Sequence, residues 1–452
     1  MSVHKGGRQK IAATRLIAAL VVVVVAAQSL PTAWGQVFGS AVGGVVVDTN
    51  GILRTATVDE MKLLAKARAE QLKSLPADVN VASPLRKVSL RRLQEEFASR
   101  KEAGQKPLFT HDMEFLAGLT RIQYIFVYPE EKDIVLVGPA EPIKVSPNGH
   151  MVGAASGQPI LQLDHLLVAL RTAEDARQEP ISCSIDPTKE GIAAFNRIIA
   201  GTKRFDPSLE GRLEEAMGMQ DVTITGVPKG SAFARTMVAA DYRMKRLAMG
   251  FEKIPVRGLP TYLSLVTANS QAMPRWWMAP NYDAILKDAD GLAWELRGMG
   301  VKVMTEDTIF GKEGEATRTG KASPAAQKWA DMMTAKYDEL SVHFPVFGEL
   351  RNMMDMAVVG ALIVKNDLLQ KAGLDLASLM SDRAIISRDG FDVPKKVPTV
   401  VNWEKQGGRY VVTASGGVEI NSWKVAEKTE VSTKLSPIRG SALPAGSKWW
   451  WN

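Results

Sequence analysis

Cysteine is nearly absent: Cys183 is the only one in 452 residues. A disulfide within the chain is excluded, so the fold rests on its hydrophobic core, which a chain this long and 46% hydrophobic can build. The flanking Ile181-Ser-Cys-Ser-Ile185 alternates like a strand, which reads Cys183 as buried rather than reactive. Histidine is scarce as well, five in all. None stands four residues from a second ligand as in His-Glu-x-x-His, and without a cysteine pair no metal site is assigned.

The sequence also lacks the spacings that carry common chemistry. Gly314 and Gly320 are one residue too far apart for a phosphate loop, and Ala322 stands where a magnesium-binding hydroxyl belongs. Gly298-Met-Gly300 has no third glycine and joins two expected strands, so it reads as a turn. No Gly-x-Ser-x-Gly elbow occurs. Asp288-Ala-Asp290-Gly291 begins like a calcium loop but lacks the later ligands, which makes it a turn. No cofactor is assigned, and no repeat of fixed period is found.

What is present starts at the N-terminus. Lys5, Arg8, Lys10 and Arg15 precede an apolar run from Leu16 to Ala27, and Ala33-Trp34-Gly35 offers a small-x-small cleavage pattern before Gln36. This is the pattern of a secretory signal peptide over residues 1–35, and it places the remainder in a secreted or periplasmic location. The alternative is an uncleaved membrane anchor, against which the run is shorter than the roughly 20 apolar residues that a span needs; no transmembrane span is expected in the mature chain. Four of the seven excess positive charges lie in this leader. The remaining excess is small and dispersed, which argues against nucleic acid as a partner.

Strand and helix signals mix without a regular alternation, which predicts an α+β fold of mixed or antiparallel sheet hairpins with packed helices. Residues 36–105 read as an N-terminal hairpin and helices, with a capping box in Thr57-Val-Asp-Glu60. Residues 106–393 read as an α+β core. Its clearest hairpin pairs Ile122–Val127 with Ile134–Val137, both apolar enough to be buried on two faces. Asp186-Pro187 and Asp206-Pro207 read as helix starts, 306–323 as a mobile loop, and 324–371 as an αα-hairpin. The core of its second helix, Met356–Val364, is apolar but too short to span. Residues 394–452 read as a small C-terminal β region with a tail ending in Trp449-Trp450-Trp451.

Two clusters are the binding candidates. Arg275-Trp276-Trp277 could offer an indole face to a sugar ring, against the plainer reading of one tryptophan inward and one partly exposed. Asp241-Tyr-Arg243-Met-Lys-Arg246 contains an i, i+4 pair, Asp241 and Lys245, and reads first as a solvated helix face. For catalysis the candidates are weaker: Ser156 with Asp164 and His165, or a carboxylate pair at Glu295 and Glu306.

Several stretches together resemble a planctomycete-type family of secreted proteins that carries a domain of unknown function. They are Tyr128-Pro-Glu-Glu-Lys-Asp-Ile-Val-Leu-Val-Gly-Pro-Ala-Glu-Pro142, Cys183-Ser-Ile-Asp-Pro187, Ala240-Asp-Tyr-Arg-Met-Lys-Arg-Leu247, Arg275-Trp-Trp-Met-Ala-Pro280, Phe347-Gly-Glu-Leu-Arg-Asn-Met-Met-Asp355 and Ser415-Gly-Gly-Val418. The resemblance implies export and one large architecture and brings no activity, cofactor or catalytic residue. The expectation is an exported, non-catalytic binding or structural protein of the envelope or extracellular space, with an envelope protein or glycan as partner. The alternative is a secreted hydrolase with an unclassified active site.

Overall fold

The structure, a computed structural model, describes residues 41–202, 208–266, 273–381, 393–404, 409–412 and 415–443. The leader 1–35, Asp206-Pro207 and Trp449–Trp451 lie outside the described residues.

Local chemistry sets the first elements. Val45–Val47 pairs antiparallel with Leu53–Thr55, and the turn between them is held by Asp48 Oδ1, which accepts from the amides of Asn50 and Ile52 at 2.9 Å. The helix Val58–Leu72 starts with a complete capping box: Thr57 Oγ1 accepts from Glu60 N at 3.2 Å, and Glu60 Oε2 from Thr57 N at 2.7 Å. Arg54 hydrogen-bonds the same Glu60, which brings that carboxyl down to about 2.

Two mixed sheets form the body, and the fold is α+β. The six-stranded sheet runs Thr429–Val431, Ile285–Lys287, Ala293–Glu295, Tyr124–Tyr128, Asp133–Ala140, Ser83–Ser89. The two apolar strands in it are buried on both faces. Ile125, Val127, Ile134 and Leu136 join the main core, while Phe126, Tyr128, Val135 and Val137 pack under Leu435 and Ala442. Asp288 makes the turn before Ala293, its Oδ1 accepting from Leu292 N and Ala293 N.

The seven-stranded sheet runs Ala316–Arg318, Gly300–Phe310, Met273–Asn281, Ser415–Ile420, Ile181–Asp186, Met219–Thr225, Lys396–Pro398. Every pairing is antiparallel except Met273–Asn281 with Ser415–Ile420. Ser415–Ile420, the last strand of this sheet in chain order, sits in its middle. Gly416 and Gly417 are required there: a Cβ would stand 1.6 Å from Trp276 O at the first, whose φ is +143°, and 1.8 Å from Cys183 O at the second.

The helix Pro345–Lys365 runs through the core, buried from Pro345 to Ile363. Each buried charged group on it, Glu349, Arg351 and Asp355, has a partner. Asp355 accepts two bonds from Arg121 at 2.8 Å and one from Tyr282 Oη at 2.6 Å. Glu349 meets His150 Nδ1 at 2.7 Å, and Arg351 donates to Asp338 at 2.7 Å. Among the described residues, no helix is long and apolar enough to cross a membrane.

Three local readings change. The first arm of the αα-hairpin is two helices, Pro324–Ala335 and Tyr337–His343, because Lys336 leaves helical geometry at φ −103°, ψ 10°. The first is tied to the sheet, Thr334 Oγ1 accepting from Val303 N at 2.9 Å, and only the second folds back along Pro345–Lys365. The polar stretch 306–323 carries a strand end and the hairpin strand Ala316–Arg318; its polarity reflects an exposed edge rather than a lack of pairing. The helix after Pro187 is capped by Thr188, whose hydroxyl accepts from Gly191 N at 3.0 Å, and this frees Asp186 for the sheet.

Candidate functional site

The helix Ala232–Ala248 starts at Ser231, whose Oγ accepts from Ala234 N at 3.1 Å, and it is buried along most of its length. It packs on the Cys183 and Ile185 face of the seven-stranded sheet, with Pro345–Lys365 against it from the other side. Asp241 and Lys245 form the expected pair at 2.9 Å, but not on a solvated face: they are 0% and 2% exposed. The helix lies between a sheet and a helix, so this face has no water to reach. Lys245 Nζ also donates to Ile185 O at 2.8 Å and Gly416 O at 3.3 Å. The ammonium thereby joins the helix to two neighbouring strands. Burial pushes the Asp241 carboxyl up to about 6, against the pull of Lys245. Burial likewise pushes the Cys183 thiol up, so it is unreactive.

Arg243 leaves the helix on another side. Its guanidinium lies 4.9 Å over the Phe344 ring, and its Nε is 3.7 Å from Glu252 Oε2. Gly44 is close enough that a Cβ there would stand 2.9 Å from Arg243 Nη2. This arginine thus packs beside the N-terminal hairpin.

Arg275, Trp276 and Trp277 alternate along one strand. Trp276 is 0% exposed, wedged between Tyr262 at 4.7 Å and Trp329 at 4.8 Å. Trp277 faces the opposite way and is partly exposed. Arg275 shares that outer face and donates from Nη1 to Asp186 Oδ1 at 3.0 Å, across the intervening Ser415 strand. In register, Trp277 stands between Met304 and Gly417, and Gly417 is opposite Ser184, which is opposite Thr223. The row beside the indole thus contains one position with no side chain, followed by two hydroxyls. The helix Lys189–Gly201 covers only one end of this face, where Phe195 and Ile192 meet Met273 and Phe310.

The five binding candidates therefore do not converge. Asp241, Arg243 and Trp276 belong to the interior, while Arg275 and Trp277 share an open sheet face. Asp186, Ser184 and Gly417 complete that face and were not singled out from sequence. Only the alternation of Ile181–Asp186 signalled that Ser184 and Asp186 point together.

The catalytic candidates stay apart. Ser156 Oγ accepts from Gln158 N at 3.1 Å, and the Ser156 amide donates to Glu141. His165 is 2% exposed with its ring edge on Phe233 at 5.9 Å, and Asp164 Oδ1 accepts from the His165 backbone amide. Glu295 and Glu306 lie in different sheets, Glu306 opposite Arg275 and 3.6 Å from Arg318. Among the described residues, no group of three or more His, Cys, Asp or Glu is placed to hold a metal ion.

No curated protein and no solved structure matches the chain. Residues 183–262, from the central Cys183 strand through the Ala232–Ala248 helix to Tyr262, match a family described as "Protein of unknown function (DUF1598)", and this domain of unknown function is what the chain is found to contain.

Proposed function

We propose that this protein is exported, is cleaved near Gly35–Gln36, and works in the cell envelope or extracellular space as a non-catalytic binding protein that holds a glycan on the open face of its seven-stranded sheet. One observation carries the reading. Trp277 is partly exposed on that face, Gly417 leaves no side chain beside it, and the Arg275–Asp186 pair lies one row away. An indole offers a flat apolar surface for the C–H side of a sugar ring. The guanidinium, the carboxylate and the hydroxyls of Ser184 and Thr223 offer donors and acceptors to its hydroxyl groups. The basic leader with its short apolar run supports delivery to a compartment where such polymers lie.

The test is retention on immobilised cell-wall polysaccharides and on a glycan array, with Trp277→Ala and Arg275→Ala compared with the wild type. Retention lost in Trp277→Ala while the fold is kept supports the reading. Equal retention of both variants, or no retention of the wild type on any glycan, rejects it. Export is checked separately by N-terminal sequencing of the native protein, expected to begin at Gln36; intact chain dissolved in cytosol would defeat it.

A further inference from the structure

Behind the sheet face just described, at the opposite side of the sheet, a pocket opens between the end of the Ala232–Ala248 helix and the edge strand Lys396–Pro398. It holds about 320 Å³ including its mouth, and its inner part has room for about one or two water-sized groups. Ile185, Phe251, Val397 and Pro398 give it apolar walls. Into it faces Gln220, which is 0% exposed, and neither its Nε2 nor its Oε1 has a hydrogen-bond partner among the described residues. A buried amide left with both a donor and an acceptor unmade is costly.

Of the two cations on the wall, Lys245 is fully engaged and Arg246 is held through its Nε and over two rings. Lys245 Nζ gives its protons to Asp241, Ile185 O and Gly416 O. Arg246 Nε donates to Glu252 at 2.8 Å, and its guanidinium lies over Tyr242 and Phe251 at 5.5 and 5.8 Å. Among the buried side-chain polar atoms of the wall, the unmet hydrogen-bonding capacity is that of the Gln220 carboxamide edge. A carboxylate can accept from Nε2 but sets its second oxygen against Oε1. A trans peptide group points its N–H and C=O in opposite directions and satisfies only one of the two. A primary carboxamide pairs with both and puts its aliphatic stem on the apolar walls.

We propose that this pocket is a binding site for a primary carboxamide on a short aliphatic stem, read edge to edge by Gln220. The glutamine or asparagine side chain has this chemistry, as the free amino acid or within a partner polypeptide. Ile185, Gln220, Tyr242, Lys245, Arg246 and Phe251 on the pocket wall fall inside residues 183–262, so the matched domain supplies most of the site, and the strand Lys396–Pro398 closes it from outside. It is independent of Trp277.

The experiment follows the side-chain NH₂ resonances of Gln220 in the intact protein by NMR. Acetamide, glutamine, a glutamine-containing peptide, acetate and glutamate are titrated separately. The expected result is a saturable shift of the Gln220 pair with acetamide and glutamine, none with acetate or glutamate, and, by isothermal titration calorimetry, an affinity about a hundredfold lower in Gln220→Leu, which lacks the reporting amide. A peptide that binds more tightly than glutamine assigns the source as a partner chain; the reverse order assigns a free amino acid. No shift with any carboxamide overturns the proposal, as does equal binding of glutamate. Trp277→Ala leaves these shifts unchanged, so this result and the glycan result stand or fall separately.

Discussion

Lys245 Nζ meets Asp241 Oδ2 at 2.9 Å, one helical turn away, in a position where both side chains are almost entirely out of solvent. Removing one partner of such a buried pair costs more than the pair itself contributes, because an uncompensated charge is left behind. Lys245→Met leaves a bare carboxylate beneath the sheet and is expected to cost about 3–5 kcal/mol. The double variant Asp241→Leu with Lys245→Met should recover most of that loss. Urea unfolding of the three proteins measures both values, and a double variant as weak as the single one would show that the pair is more than locally compensated.

The pH dependence follows from the same carboxyl. Its folded value is raised to about 6, above the ordinary range near 4. The folded state therefore binds the proton more tightly. The contribution of Asp241 to stability is fully present below about pH 4 and is lost as pH rises through about 6, amounting to about 3 kcal/mol. Glu60 and Glu349, whose values are lowered, act in the opposite direction at low pH. The difference in unfolding free energy between wild type and Asp241→Asn, taken across pH 4 to 7, isolates the effect. A flat difference profile would remove it.

The two adjacent tryptophans should separate cleanly. Trp276→Ala empties a site closed by Tyr262 and Trp329 and is expected to cost about 3–5 kcal/mol. Trp277→Ala, on the outer face, should lower stability by about 1 kcal/mol or less. Thermal unfolding of both variants checks the contrast.

Gly416→Ala and Gly417→Ala should each prevent the native sheet from forming, since the added Cβ meets backbone oxygens at 1.6 and 1.8 Å. The expected readout is insoluble expression or loss of the cooperative unfolding transition. Gly211→Ala on an open helix surface, where a Cβ meets nothing within 4 Å, is the control and should be neutral or mildly stabilising.

Features with a local cause were legible in the sequence. The Thr57 capping box, the two-faced burial of the Tyr124–Tyr128 hairpin, the turn at Asp288 and the inward–outward alternation of Trp276 and Trp277 all follow from spacing and residue type. The burial of Asp241 and Lys245 was not legible. An i, i+4 pair reads the same whether water or a sheet covers it, and what covers it here arrives from Ile185 and Gly416, far along the chain. The Arg275–Asp186 contact was hidden for a related reason: Asp186 looked like a helix cap beside its proline, and the cap is Thr188. Gln220 gave no signal, because an unpaired amide shows only once its neighbours are placed.

The strand Ser415–Ile420 lies between two partners that are synthesised long before it. Until it emerges, the sheet exists as two halves, each with a raw edge ready to pair with whatever is nearest. A chain stopped short of this strand should clump rather than fold, because the two halves of the seven-stranded sheet then have nothing between them.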